Sequence, residues 1–188
     1  MTQNLRDFTQ SVYLMDAVVR RVPGTAWSLS SPCEGWTARD VVGHVSAVLT
    51  AAAEMVVTCE MVLPETSGDL TDPEVLWTRA RTSILSAIDE PGALTREGTF
   101  WFGPMSVDDL IGVVLWDPLT HAWDVATAVG IDPHLDEDLA SVAFDRISSM
   151  RDGLAGMGLL GPELRVPDDA SAIDRYLGLV GRDHLASR

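Results

Sequence analysis

The stretch SVDDLIGVVLWDPLTHAWDVATAVG, residues 106–130, decides the architecture. One stripe at spacings of three and four runs through Leu110, Val114, Asp117, His121, Val125 and Ala128, so one face of a long helix is marked out. Ser106-Val-Asp-Asp109 opens it as a capping box with Asp in the Glu position, and Gly130 closes it. Pro118 lies inside the pattern. It frees the carbonyl of Val114 and predicts a bend rather than an end, because the stripe continues on both sides. Asp117 and His121 stand one turn apart in the middle of this apolar face. A carboxylate there is expensive unless it is paired or bound to a cation. The chain contains no lysine to pair with it, and its 13 cationic side chains are all arginine.

Upstream, SPCEGWTARDVVGHV, residues 31–45, has the same character. Thr37-Ala-Arg-Asp40 is a capping box for a second helix expected to run to about Val62. Its stripe reads Val41, His44, Val45, Val48, Ala52 and Met55, which turns His44 inward. A first helix is expected from about Leu5 to Val22, stopped by Pro23, and a third from Asp72-Pro73 to about Asp89 after the polar loop LPETSGDLTD. TFWF, residues 99–102, reads as a short extended piece. Beyond Gly130, helices are expected over about 137–152 and 171–180, separated by a glycine-rich stretch and the extended LRVP. The predicted class is all-α: a four-helix bundle over about residues 1–130, with further helices and minor extended segments over 131–188, in one domain.

Composition narrows the partners. Against those 13 cations stand 28 acidic residues, a formal charge of −15, which repels phosphate backbones and anionic lipid and makes a nucleic-acid partner unexpected. No lysine means no Schiff-base chemistry. No apolar run of membrane length without polar breaks is seen, and MTQNLRDFTQ lacks the basic and apolar regions of a signal peptide; a cytoplasmic protein without a membrane span is expected. Cys33 and Cys59 are too few for a disulfide scaffold.

Two imidazoles and one carboxylate thus face the core, and His44, Asp117 and His121 can fill three positions of a divalent-metal site and leave others open. The spacing leaves blander readings open: Asp117 as the cap of a helix restarting at Pro118, His44 bonded to Asp40, or His121 paired with Asp117 alone. His134, in IDPHLDED, reads as a solvated loop residue, and His184 lies near the end of the chain. Cys33 has no base nearby in sequence, and Cys59 reads as packed within the second helix. Trp36, Trp116 and Trp123 lie close in sequence to the candidate ligands, as pocket wall or as plain packing. Arg182 offers a cation for an anionic ligand or for neighbouring acids.

SPCEGWTARDVVGHV and LWDPLTHAWDVATAVG resemble the second- and fourth-helix signatures of the DinB-like superfamily, in its actinobacterial branch related to mycothiol-dependent maleylpyruvate isomerase. GPELRVPDDASAIDRYLGLVGRDH, residues 161–184, is similar to the closing segment of small single-domain members. The resemblance implies a four-helix core in up-down-down-up order, and a divalent metal held by two His and a carboxylate or by three His. By position it assigns His44, Asp117 and His121 as ligands and Asp124 as a residue supporting His121. Zinc is the expected ion, with nickel, iron and manganese as alternatives. The function implied is a mycothiol-dependent transferase or isomerase acting on a small electrophile. A thiol-independent hydrolase or biosynthetic enzyme, or a non-catalytic metal-binding stress module, is the alternative. Maleylpyruvate isomerase itself carries a further C-terminal domain for which 188 residues leave no room, so that particular reaction is not expected. Oligomeric state is left open, a homodimer included.

Overall fold

A computed structural model describes residues 1–65 and 70–183 of the chain. Part of the polar loop before the third helix, and His184, lie outside the described residues. Helix α1 spans Gln3–Val19, α2 Ala38–Thr58 and α3 Pro73–Asp89. A 3-10 turn at Ala93–Thr95 leads into strands β1 (Glu97–Phe100) and β2 (Gly103–Ser106), and then α4 (Val107–Val114), α5 (Trp116–Val129), α6 (Glu137–Ser148), α7 (Arg151–Gly156) and α8 (Ala172–Leu179) follow. The protein is an all-α bundle. Helix α3 packs on α2, α2 on α5, α5 on α1 and α1 on α3, closing a ring of four helices.

Local chemistry explains most boundaries. Helix α2 begins with the expected capping box: Thr37 Oγ1 accepts from Asp40 N, and Asp40 Oδ2 accepts from Thr37 N at 2.8 Å. The Thr37 hydroxyl also donates to Asp40 Oδ2 at 2.6 Å, and these bonds to Thr37 hold the Asp40 carboxyl below its ordinary value of 3.8. A depressed carboxyl contributes stability that is present above its unfolded value and is lost as pH falls through the folded one. Thr37→Ala is therefore expected to cost about 1 kcal/mol near neutral pH. In urea titrations the deficit should shrink below about pH 4, the region of the ordinary carboxyl value.

Several expected limits move. Helix α1 ends at Val19, three residues before the expected Val22, because Arg21 N and Val22 N bond to Val18 O and Val19 O in tight turns ahead of Pro23. Helix α2 stops at Thr58, not Val62. Cys59, expected inside it, instead terminates it in the left-handed conformation at φ 59°. The expected helix over 137–152 divides into α6 and α7. TFWF is half strand and half turn. Phe100 pairs with Gly103 across Trp101 and Phe102, and the Trp101 indole donates to Val62 O at 2.6 Å.

The fourth helix is interrupted near the predicted bend: it divides at Leu115 into α4 and α5. Leu115 keeps right-handed helical angles, and Leu115 N still bonds to Ile111 O at 3.2 Å, so the chain path continues through the break. Pro118 has no N–H to donate to Val114, which is the physical cause of the interruption. Asp117 does not cap a restarted helix, because Leu115 holds that position and makes no side-chain cap. The face carrying Asp117 and His121 stays turned inward, with Asp117 4% and His121 6% exposed. Helix α2 alone among the described residues is long and apolar enough to cross a membrane, and most of it is buried in the bundle.

Candidate metal centre

His44 comes from the second turn of α2, and Asp117 and His121 from the first two turns of α5, so the contact of α2 with α5 brings all three together. His44 Nε2 lies 3.3 Å from Asp117 Oδ1, and His121 Nε2 lies 3.7 Å from the same oxygen. The two imidazole rings meet edge to face with centroids 5.0 Å apart. One ligand atom from each residue falls within 4.8 Å of the others. A cation about 2.0–2.2 Å from each donor needs donors about 3.4 Å apart in a tetrahedral shell, and the observed separations fit. The other carboxylate oxygen, Asp117 Oδ2, is buried and has no hydrogen-bond partner. A buried acceptor without a donor costs about 1–3 kcal/mol, so its natural complement is a cation. No ion is part of the structure, and the fit rests on this orphaned oxygen and on the donor set.

His44 and Asp117 also shift each other's ionisation. Burial opposes ionisation of Asp117, yet the charge and hydrogen bond of His44 prevail and hold its carboxyl below the ordinary value. Burial also opposes protonation of His44, and the Asp117 carboxylate overrides it and raises the imidazole. His44 does not bond to Asp40, which is engaged with Thr37. His121 is not limited to Asp117 either. Its Nδ1 donates to Asp124 Oδ2 at 2.7 Å, and in a neutral ring this bond puts the lone pair on Nε2, which faces Asp117 Oδ1 at 3.7 Å. A carboxylate behind a histidine that faces a metal position is the usual support for a ligating imidazole.

Asp124 has no exposed surface and is held from a second direction. Arg182 Nε donates to Oδ1 at 2.9 Å and Nη2 to Oδ2 at 2.8 Å, a bidentate pair. Burial opposes a charged Asp124, but the His121 and Arg182 hydrogen bonds hold its carboxyl far below the ordinary range. The Cys33 thiol donates to Asp124 Oδ2 at 3.2 Å and sits 4.0 Å from His121 Nδ1. Sequence neighbours suggested no such company for Cys33; the base and the cation beside it come from α5 and from the chain beyond α8. Burial first, and then the Asp124 charge, push the thiol up to about 12, so it is a neutral donor rather than a nucleophile. Cys33, His121 and Asp124 also have cation-binding spacing. Arg182 already occupies both Asp124 oxygens and places a positive charge there, which leaves His44, Asp117 and His121 as the better cation set.

The turn that delivers Cys33 was visible only as a loop. Trp36 N bonds to Cys33 O at 3.0 Å, with Gly35 at φ 78° supplying the left-handed residue that this turn requires. An isolated bridge of Ser30 with Thr37 folds the loop back on itself. Trp36 thereby lies over His44, ring centroids 5.1 Å apart, and remains 37% exposed. The His44 side chain is 29% exposed against 8% for His121, so the centre opens toward solvent past His44 and Trp36. Trp116 and Trp123, in contrast, are buried in the core. Tyr176, from α8, was not anticipated. Its buried hydroxyl donates to Trp116 O at 3.0 Å and accepts from the Thr120 hydroxyl, beside the helix break. His134 is surface-exposed and pairs with Asp132 Oδ2 at 3.1 Å, as a loop residue should.

Fold and site together define a helical-bundle protein with a candidate two-histidine, one-carboxylate centre. The chain belongs to the mycothiol maleylpyruvate isomerase N-terminal domain family, whose sequence profile matches residues 8–126 and so spans all three candidate ligands. It is 28% identical over 138 residues to the uncharacterized protein Rv0738 of Mycobacterium tuberculosis strain H37Rv, a match covering 73% of this chain and 68% of that one. The uncharacterized protein MT0763 of strain CDC 1551 matches to the same extent. No solved structure matches the chain significantly.

Proposed function

We propose that the protein binds a divalent metal, zinc in the first instance, through His44, Asp117 and His121, and uses it in a thiol-dependent transfer or isomerisation on a small electrophile. The observation that carries this is the buried Asp117 carboxylate, whose Oδ1 faces the Nε2 atoms of His44 and His121 while its Oδ2 has no donor. Family membership supports mycothiol as the thiol. A divalent metal supplies one thing here: it lowers the pKa of a coordinated thiol so that thiolate exists at neutral pH.

The chain's own residues account for the rest. The bond from its Nδ1 to Asp124 keeps His121 Nε2 directed at the centre. Asp117 contributes a negative charge that offsets the cation's in a buried site. Trp36 forms an apolar, partly exposed wall on the open side, where a small carbon electrophile can rest beside His44. Cys33, neutral and committed to Asp124, takes no part as a nucleophile. The acidic surface argues against a nucleic-acid partner, and we place the protein in the cytoplasm, where low-molecular-weight thiols are reduced.

The test is elemental analysis of the purified protein, followed by assays against small electrophiles with and without mycothiol. Stoichiometric metal and thiol-dependent loss of electrophile are expected. Metal-free protein that takes up no zinc, or turnover indifferent to thiol, overturns the proposal.

A further inference from the structure

We propose that Arg182 is a positioning residue for the candidate centre, acting through Asp124 to fix the ring flip and tautomer of His121, so that an Nε2 lone pair faces Asp117 and His44. Arg182 lies well beyond residues 8–126, the segment that matches the family, so the chain after the bundle completes the site. Its place is set by the end of α8. Gly181, at φ 80°, terminates that helix, with Gly181 N bonded to Gly178 O and Arg182 N to Leu177 O. This paired capping pattern reverses the chain and turns Arg182 back toward α5. A Cβ on Gly181 would come within 2.9 Å of Pro162 O, so the turn tolerates only glycine without a shift.

A neutral His121 ring has two tautomers, with the proton on Nδ1 or on Nε2, and two flips, which exchange each nitrogen with a carbon. The helix backbone does not choose between them; the 2.7 Å bond from Nδ1 to Asp124 Oδ2 does. Asp124 can hold that bond only if its carboxylate plane is itself held. The Arg182 fork, with Nε on one oxygen and Nη2 on the other, holds it, and the third donor on Oδ2 is Cys33. Arg182 is in turn tethered through Nη1 to Val180 O at 3.1 Å. The series runs from the α8 turn to Arg182, Asp124 and His121, and of these only His121 would touch a metal.

The metal arm of the test rests on the proposed function; the spectroscopic arm does not. In metal-free, nitrogen-15-labelled protein, His121 is expected to show a single tautomer with a slowly exchanging Nδ1–H. Arg182→Met should mix the tautomers and speed that exchange. By chelator competition it should weaken zinc binding by about 10–100-fold, the usual effect of losing the support behind a metal-ligating histidine. Arg182→Lys keeps the charge without the fork and should recover only part of the loss. Arg182→Met combined with Asp124→Asn should be no worse than Asp124→Asn alone. Millimolar guanidinium added to Arg182→Ala should restore the Nδ1–H signal, which a purely structural defect would not allow. An unchanged His121 tautomer with zinc affinity within about twofold in Arg182→Met overturns the proposal. Wild-type protein that binds no zinc but shows the Arg182-dependent tautomer overturns the metal proposal and leaves this one standing.

Discussion

If the proposed site is right, His121→Ala is expected to lose stoichiometric metal uptake, and His44→Ala the same, with both variants still folded by circular dichroism. Structural zinc sites are worth about 10–16 kcal/mol over four ligands, or about 3 kcal/mol per ligand, so loss of one imidazole lowers affinity on the order of a hundredfold or more. His44 reaches the centre from α2 and His121 from α5, so equal losses from the two variants would show that both helices serve one ion. Competition against a chromophoric chelator measures the affinities. A bound ion would also link to stability: at about a hundred times its Kd it would add about 2.7 kcal/mol to the unfolding free energy, and most of this increment is expected to be lost in either variant. Wild-type affinity retained in His44→Ala would remove α2 from the site.

The second large effect concerns the support rather than the ligands. Asp124→Ala is expected to destabilise the metal-free protein by about 3–5 kcal/mol, the cost of leaving a buried ion without its partner. The stranded group is the Arg182 guanidinium, 14% exposed, which would lose both oxygens of its bidentate partner. The same change removes the acceptor for His121 Nδ1 and for the Cys33 thiol. Urea unfolding in the presence of a chelator measures it free of any metal contribution. A loss below about 1 kcal/mol would mean that water replaces the carboxylate and that Asp124 is less enclosed than its lack of exposed surface implies. The effect should far exceed that of Thr37→Ala, because Thr37 is partly exposed whereas Asp124 is fully buried.

Helix registers were legible from the sequence wherever period and capping agreed. Thr37 with Asp40, Ser106 with Asp109 and Asp72 with Pro73 mark true helix starts. The stripes through His44 and through Asp117 and His121 face inward as their spacing required. Helix ends were read less well: α1 and α2 stop earlier than their apolar patterns. Apolarity persists past the point where the backbone turns, in the second case into Cys59 with its left-handed angles.

The periodic spacing of polar residues in apolar stripes determined by itself that two imidazoles and one carboxylate would enter the core, because direction around a helix depends on local spacing alone. The tertiary structure decided what surrounds them. Cys33 and Trp36 arrive on a tight turn, and Arg182 arrives from 58 residues beyond Asp124 through the reversal after α8. Those approaches depend on how loops close and how the chain after the bundle docks, and no periodicity along the chain records either.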